Sequence, residues 1–443
     1  MISIKKYFLL RNWGRIVILK SAKVPVILLL GLTIMLGNPE LFDLTVAANA
    51  RLAPFKATAS VFKTVSFKND LRAMLFEPIV PIKSEVPLLT LRTPSFPEPS
   101  PVKGIYLTAW LSGSDQFLQK IVEFIRQTEV NTVVIDVKDD LGTLSYTSEV
   151  PLAQEIGSVL KKYNPAKVLA LMEEHQIYPI ARIVVFKDPF LAAKRNDLAV
   201  QSKLGGLWSD RKGLHWVDPY NQAVWDYNIA IAKEAIAKGF REIQFDYMRF
   251  TSDGAIKNCV YPGDDGRAKA DVIRDFLKYA SAELKPLGVK ISADIFGLVC
   301  SADDDMGIGQ ILEKVAEGAD ILCPMVYPSH YYSGSYKLAN PDASPYETVY
   351  QSMLDAKRRL DKLEKPVVMR PWLQDFSLRH KYQREELLAQ IKAVEDAGYS
   401  EWIFWNPSCK YDLRKYRPKN TVVNQVTPPP QTGTSEKDLQ KNI

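Results

Sequence analysis

The sequence predicts a parallel α/β barrel, a (β/α)8 TIM barrel, and three observations carry that prediction. Strand-like and helix-like segments alternate without interruption. They form eight strand-then-helix units in about 315 residues, against the roughly 250 that such a barrel needs before insertions. No glycine-rich nucleotide turn follows the first strand, which disfavours an open doubly wound sheet. In order, the predicted strands are Gly104 to Trp110, Thr132 to Lys138, Tyr178 to Phe186, Glu242 to Phe250, Lys290 to Phe296, Ile321 to Tyr327, Pro366 to Trp372 and Glu401 to Asn406. The helices between them are Asp115 to Thr128, Pro165 to His175, Asn221 to Lys238, Arg267 to Leu284, Ile308 to Glu317, Tyr346 to Leu363 and Gln383 to Ala397, with a short one near Tyr411.

The barrel, residues 102–417, is expected between unlike ends. Six basic residues, Lys5, Lys6, Arg11, Arg15, Lys20 and Lys23, precede the first acidic one, Glu40, and the other 51 balance all 51 acidic residues. The body is therefore neutral, and the net charge of +6 gives no support to a nucleic-acid partner. Residues 24–36, VPVILLLGLTIML, follow the basic start without a charge. That layout marks residues 1–50 as a signal peptide, with Ala48-Asn49-Ala50 as a cleavage candidate, or as an uncleaved membrane anchor. Both readings make the protein exported, at the cell envelope or secreted. Residues 51–101 gather prolines toward their end and read as a stiff linker, and residues 418–443 read as a disordered tail. The four cysteines lack metal-site spacing, and Cys259 with Cys300, each just past a predicted strand, is the one pairing considered for a disulfide.

Strand phase locates the site. Barrel strands alternate between interior and helix layer, so the aliphatic positions fix each strand's direction. With Ile105 and Leu107 outward, Tyr106, Thr108 and Trp110 face inward; the same rule turns Asp136 and Lys138, Arg182, Gln244 and Asp246, and Ser292 and Asp294 inward. Asp136, Asp246 and Asp294 fall toward the strands' C-terminal ends, where barrel active sites sit. A dry unpaired carboxylate costs several kcal/mol, so each must be paired or face a wet cavity. A structural network of buried ion pairs is the plainer alternative. Seven of the eight tryptophans lie in the barrel region. Trp110, Trp372 and Trp405 end strands, Trp208 and Trp216 sit in the loop after the third strand, and Tyr327, Tyr331 and Tyr332 follow the sixth. Flat aromatic faces beside carboxylates suit sugar rings.

Two carboxylates flanking an acetal are what glycoside hydrolysis requires. Asp246 is assigned as nucleophile or base with its charge favoured by Arg249, and Asp294 as the acid. The reverse assignment, or Asp136 in place of either, stays open. Trp110, Lys138, Arg182, Arg249, Tyr327, Trp372 and Trp405 are the substrate-binding candidates, a poly- or oligosaccharide is the expected partner, and no cofactor or metal is implied. The four histidines, His175, His215, His330 and His380, form no inward strand pair for a metal.

IDVKDD at 135–140, ARIVVFKD at 181–188, FDYMRF at 245–250, SADIFG at 292–297 and PMVYPSHY at 324–331 resemble a glycoside hydrolase family of barrel domains classed as of unknown function. The resemblance spans about Lys103 to Arg417 and implies a barrel glycosidase. Carboxylates after strands four and five are also similar to the alpha-amylase group, whose strand four carries the nucleophile and strand five the acid. Here the acid would be Asp rather than Glu. Rival readings are a Schiff-base enzyme using Lys138 and a tethered barrel that binds glycans without cleaving them.

Overall fold

The computed structural model describes residues 98–419. The expected signal or anchor, nearly all of the expected linker and the tail beyond 419 lie outside the described residues. Eight parallel strands close on themselves: β1 (Lys103–Leu107), β2 (Thr132–Lys138), β3 (Tyr178–Val184), β4 (Glu242–Asp246), β5 (Lys290–Phe296), β6 (Ile321–Met325), β7 (Val368–Met369 and Trp372–Gln374) and β8 (Trp402–Trp405). Closure is made where Gly104 of β1 registers with Ile403 of β8. That glycine is tight for a reason: a Cβ on it would sit 3.1 Å from the Ile403 side chain.

Among the described residues, seven helices of seven residues or more separate the strands: α1 (Asp115–Gln127), α2 (Pro165–Glu174), α3 (Gln222–Lys238), α4 (Lys269–Leu284), α5 (Leu312–Gly318), α6 (Pro345–Leu360) and α7 (Arg384–Asp396). A 3-10 turn, Leu413–Lys415, stands in the eighth place. Local chemistry sets several boundaries. Ser114, Asn164 and Asn221 accept backbone N–H groups at the starts of α1, α2 and α3, and Gly239 takes the left-handed conformation that ends α3. Among the described residues no helix is long and apolar enough to cross a membrane.

Two apolar layers confirm the alternation. Ile105, Leu107, Val133, Ile135, Ala181, Ile183, Ile243, Phe245, Ile291 and Ile295 pack in the cluster shared with the helices. Tyr106, Val134, Tyr178, Ile180, Ile321, Cys323, Trp372 and Ile403 form a separate cluster inside the barrel. At the strands' N-terminal ends the interior is closed by charge: Arg370 donates through Nη1 to both oxygens of Glu242, at 2.8 and 2.9 Å, and through Nε to Glu401 at 2.7 Å.

Several expected elements are revised. β1 stops at Leu107, because Thr108 accepts from the Leu111 N–H and caps a helical turn, Ala109–Ser112. β4 stops at Asp246, since Tyr247 enters the left-handed region at φ 49° and breaks the alternation expected through Phe250. β7 is interrupted at Arg370 and Pro371, the proline having no N–H to give a ladder. The Cys259–Cys300 disulfide is absent. Cys259 lies in a two-stranded ribbon with Gln201–Ser202, whereas Cys300 is buried in the helix-side core, and both are free thiols.

Candidate active site

The site grows from one cross-strand row. Asp136 of β2 registers with Arg182 of β3, and Arg182 with Gln244 of β4, so the guanidinium starts one layer below Asp246 and reaches up to it. Arg182 donates from Nη1 to Asp136 Oδ1 at 2.6 Å, and from Nε (2.9 Å) and Nη2 to Asp246 Oδ2. The remaining Asp246 oxygen accepts the Tyr247 N–H at 2.6 Å, and the remaining Asp136 oxygen accepts the Tyr106 hydroxyl. Burial pushes the Asp136 carboxyl up against the opposing pull of Arg182.

Asp294 is held differently. Its Oδ1 accepts the Trp372 indole N–H at 2.7 Å, while Gln310 bonds the backbone on either side, to the Asp294 carbonyl and from the Phe296 N–H. Oδ2 has no protein partner among the described residues. At 1% exposure, burial drives this carboxyl well above the usual carboxylate range, and the Asp246 charge adds to the rise.

Asp246 and Asp294 share a cavity of ≈ 460 Å³ at the barrel's C-terminal mouth, within the ordinary size range of small-ligand sites. Arg182, Arg249, Tyr327, Trp372 and Trp405 also line it, as do Tyr331 and Tyr332. Trp405 stacks on Tyr106 with centroids 4.0 Å apart, and the Arg182 guanidinium lies 5.4 Å from the Trp405 ring. Asp136 does not line the cavity; it braces Arg182 from beneath.

Four expectations about side chains are corrected. Lys138 is not inward: a bulge between Asp136 and Lys138 shifts the phase, and its ammonium meets Asp188 at 2.7 Å and Asn228 of α3 at 2.8 Å on the helix side. Trp110, swept out of β1 by the capped turn, is 66% exposed and does not line the cavity. Trp208 and Trp216 are core residues rather than mouth residues. The ion pair of Asp246 is made by Arg182; Arg249, though near enough to interact with the Asp246 charge, makes no ion pair with it and packs among Trp216, Tyr247 and Phe296. Tyr247, Phe296, Met306, Met325 and His330 line the cavity too. Phe296 and Met325 are the last residues of β5 and β6, and Phe296 shares the inward phase of Asp294, whereas Tyr247, Met306 and His330 lie beyond the strand ends, where alternation gives no sign of them.

Comparison with known proteins now bears on this geometry. Residues 104–411 match the family described as "Putative glycosyl hydrolase domain". The chain belongs to that family. The enzyme class that follows is glycosidase, with no linkage attached. No curated protein sequence matches the chain. Among solved structures, the chain is similar to a hypothetical protein from Ruminiclostridium thermocellum ATCC 27405, at 44% identity and a TM-score of 0.41 over 46% of this chain and 98% of that one. It is also similar to the PgaB (BpsB) glycoside hydrolase domain from Bordetella bronchiseptica, at 12% identity and a TM-score of 0.50, covering 69% and 94%. The Bacillus cereus spore cortex-lytic enzyme SleL matches at 13% identity and a TM-score of 0.42, covering 72% and 74%. At such low identity the Bordetella barrel supports the fold alone.

Proposed function

We propose that this member of the family hydrolyses a cell-envelope or extracellular polysaccharide, with Asp246 and Asp294 as its two carboxylates. The observation that carries the reading is their unequal treatment inside one cavity. Asp246 is an ion-paired carboxylate whose oxygens accept three N–H groups, whereas the Asp294 carboxyl has its pKa driven up by burial and by the charge beside it. Two carboxyl groups in unlike environments can be given unlike roles. Asp294 is the general acid that protonates the departing oxygen through Oδ2, and Asp246 is the nucleophile or the base that activates water. Trp372, Trp405 and Tyr327 supply ring faces for the sugar. The basic segment followed by residues 24–36 supports export to the envelope, which protease accessibility on intact cells tests.

The reaction is tested by incubating the purified protein with a panel of cell-wall and exopolysaccharide glycans and measuring released reducing ends. The parent is expected to release them, and Asp246→Asn to fall by at least about a thousandfold, since the chemical step loses its charged participant. Equal release by the two removes Asp246 from the mechanism. Binding without release by the parent favours a glycan-binding barrel instead.

A further inference from the structure

Arg249 lines the cavity, is 7% exposed, and forms no ion pair among the described residues. The other lining arginine, Arg182, is committed to two carboxylates. Arg249 spends both Nη1 hydrogens inside the protein, on the Phe250 carbonyl at 2.9 Å and Ser252 Oγ at 3.1 Å. Its Nε and Nη2 donors, which share one edge of the guanidinium, have no protein acceptor among the described residues. Asp246, Asp253 and Asp210 are near enough to be felt but do not pair with it; Asp246 is held by Arg182, and Asp210 is engaged by the Trp216 indole N–H and two backbone N–H groups.

The group is held in place by rings. Trp216, Tyr247 and Phe296 surround the guanidinium at 4.9, 5.0 and 4.6 Å from their centroids. Cation–π contact offsets part of the desolvation, but a buried cation without a counter-ion remains costly, and burial lowers the Arg249 pKa. A planar carboxylate presented to the Nε–Nη2 edge would accept two parallel N–H bonds and complete the pairing.

We propose that Arg249 forms a subsite for a carboxylate-bearing sugar, so that the substrate is an acidic glycan. The inference rests on the glycosidase reading only in treating the cavity as a sugar site. A neutral sugar offers the fork hydroxyl acceptors but no counter-charge, whereas a hexuronate or a lactyl-ether sugar pairs it with a planar anion. The probes are methyl β-D-glucuronide and methyl β-D-glucoside, titrated against the full chain by NMR at low salt, with muramic acid as a third arm to separate the two carboxylate placements.

The glucuronide or muramic acid is expected to bind at least about tenfold more tightly than the glucoside, as a charge-assisted bidentate pair implies. Arg249→Gln is expected to bring that ratio to about one, and Arg249→Lys, which keeps the charge but loses the fork, to lower it severalfold. The lysine variant gives the reading where the glutamine variant does not fold. A parent ratio near one, or a ratio unchanged in the folded variants, overturns the subsite. Glycan cleavage with a ratio of one leaves the glycosidase reading standing alone. A carboxylate preference without any cleavage leaves the subsite standing and removes the hydrolase.

Discussion

At the scale of single residues, Asp294 is the position where function and stability pull in opposite directions. On the proposed reaction Asp294 is the general acid and must be protonated at working pH; burial beside Asp246, with one N–H from Trp372 to accept, raises its pKa in that direction. The alkaline limb of kcat/KM is therefore expected to report Asp294, activity falling as pH rises through its elevated pKa. Stability follows the same titration. A carboxyl whose folded pKa lies above its unfolded value of about 4 contributes fully below that value and loses its contribution as pH rises toward the folded one. Asp294→Asn cannot ionise and still accepts the indole N–H. It is expected to be more stable than the parent at pH 7, with the gain vanishing below about pH 4. Thermal melts of the two proteins at pH 7 and pH 4 check this; an Asn variant less stable than the parent at pH 7 means the carboxyl is not buried at a cost.

At the scale of elements, strand alternation was a sound guide as far as each strand ran. Asp246, Arg182 and Asp294 were legible because their strands are regular up to those residues. Lys138 was not, since period-2 phase cannot register one extra residue and the bulge after Asp136 is invisible in composition. The left-handed turn at Tyr247 hid the aromatic lip in the same way, and the Thr108 cap removed Trp110. The bulge has an energetic consequence. Lys138 is wholly buried and its ammonium meets Asp188, whose other oxygen caps the Leu191 N–H. Lys138→Met strands that carboxylate without its cation and is expected to cost roughly 3–5 kcal/mol in urea unfolding. The same lysine, committed on the helix side, is expected to give no borohydride-trapped adduct with carbonyl sugars. A trapped adduct at Lys138 would restore the Schiff-base alternative.

At the scale of the whole molecule, the barrel separates its charges by end. The mouth keeps Asp246, Asp294 and Arg249 against a cavity, while the opposite end is sealed by Glu242, Arg370 and Glu401. The eight-unit rhythm made the barrel readable, but not this plug. Glu242 opens β4 and Arg370 sits in the gap of β7, 128 residues apart in sequence, so only closure of the cylinder brings them together. Stability conserved at the bottom and chemistry at the top is the expected division for this fold. Arg370→Met should therefore lower the unfolding free energy by roughly 3–5 kcal/mol, because it leaves Glu242 buried and unpaired. Adding Glu242→Leu should recover most of that loss, since a desolvated pair replaced by apolar groups is often close to neutral. In both variants kcat on a cleaved glycan should stay within about twofold of the parent at a temperature where all are folded. A double variant no more stable than the single one would mean that Arg370 acts through Glu401 rather than Glu242. A large fall in kcat in the folded double variant would mean that the two ends of the barrel are coupled, and that the plug helps to set the positions of the carboxylates above it.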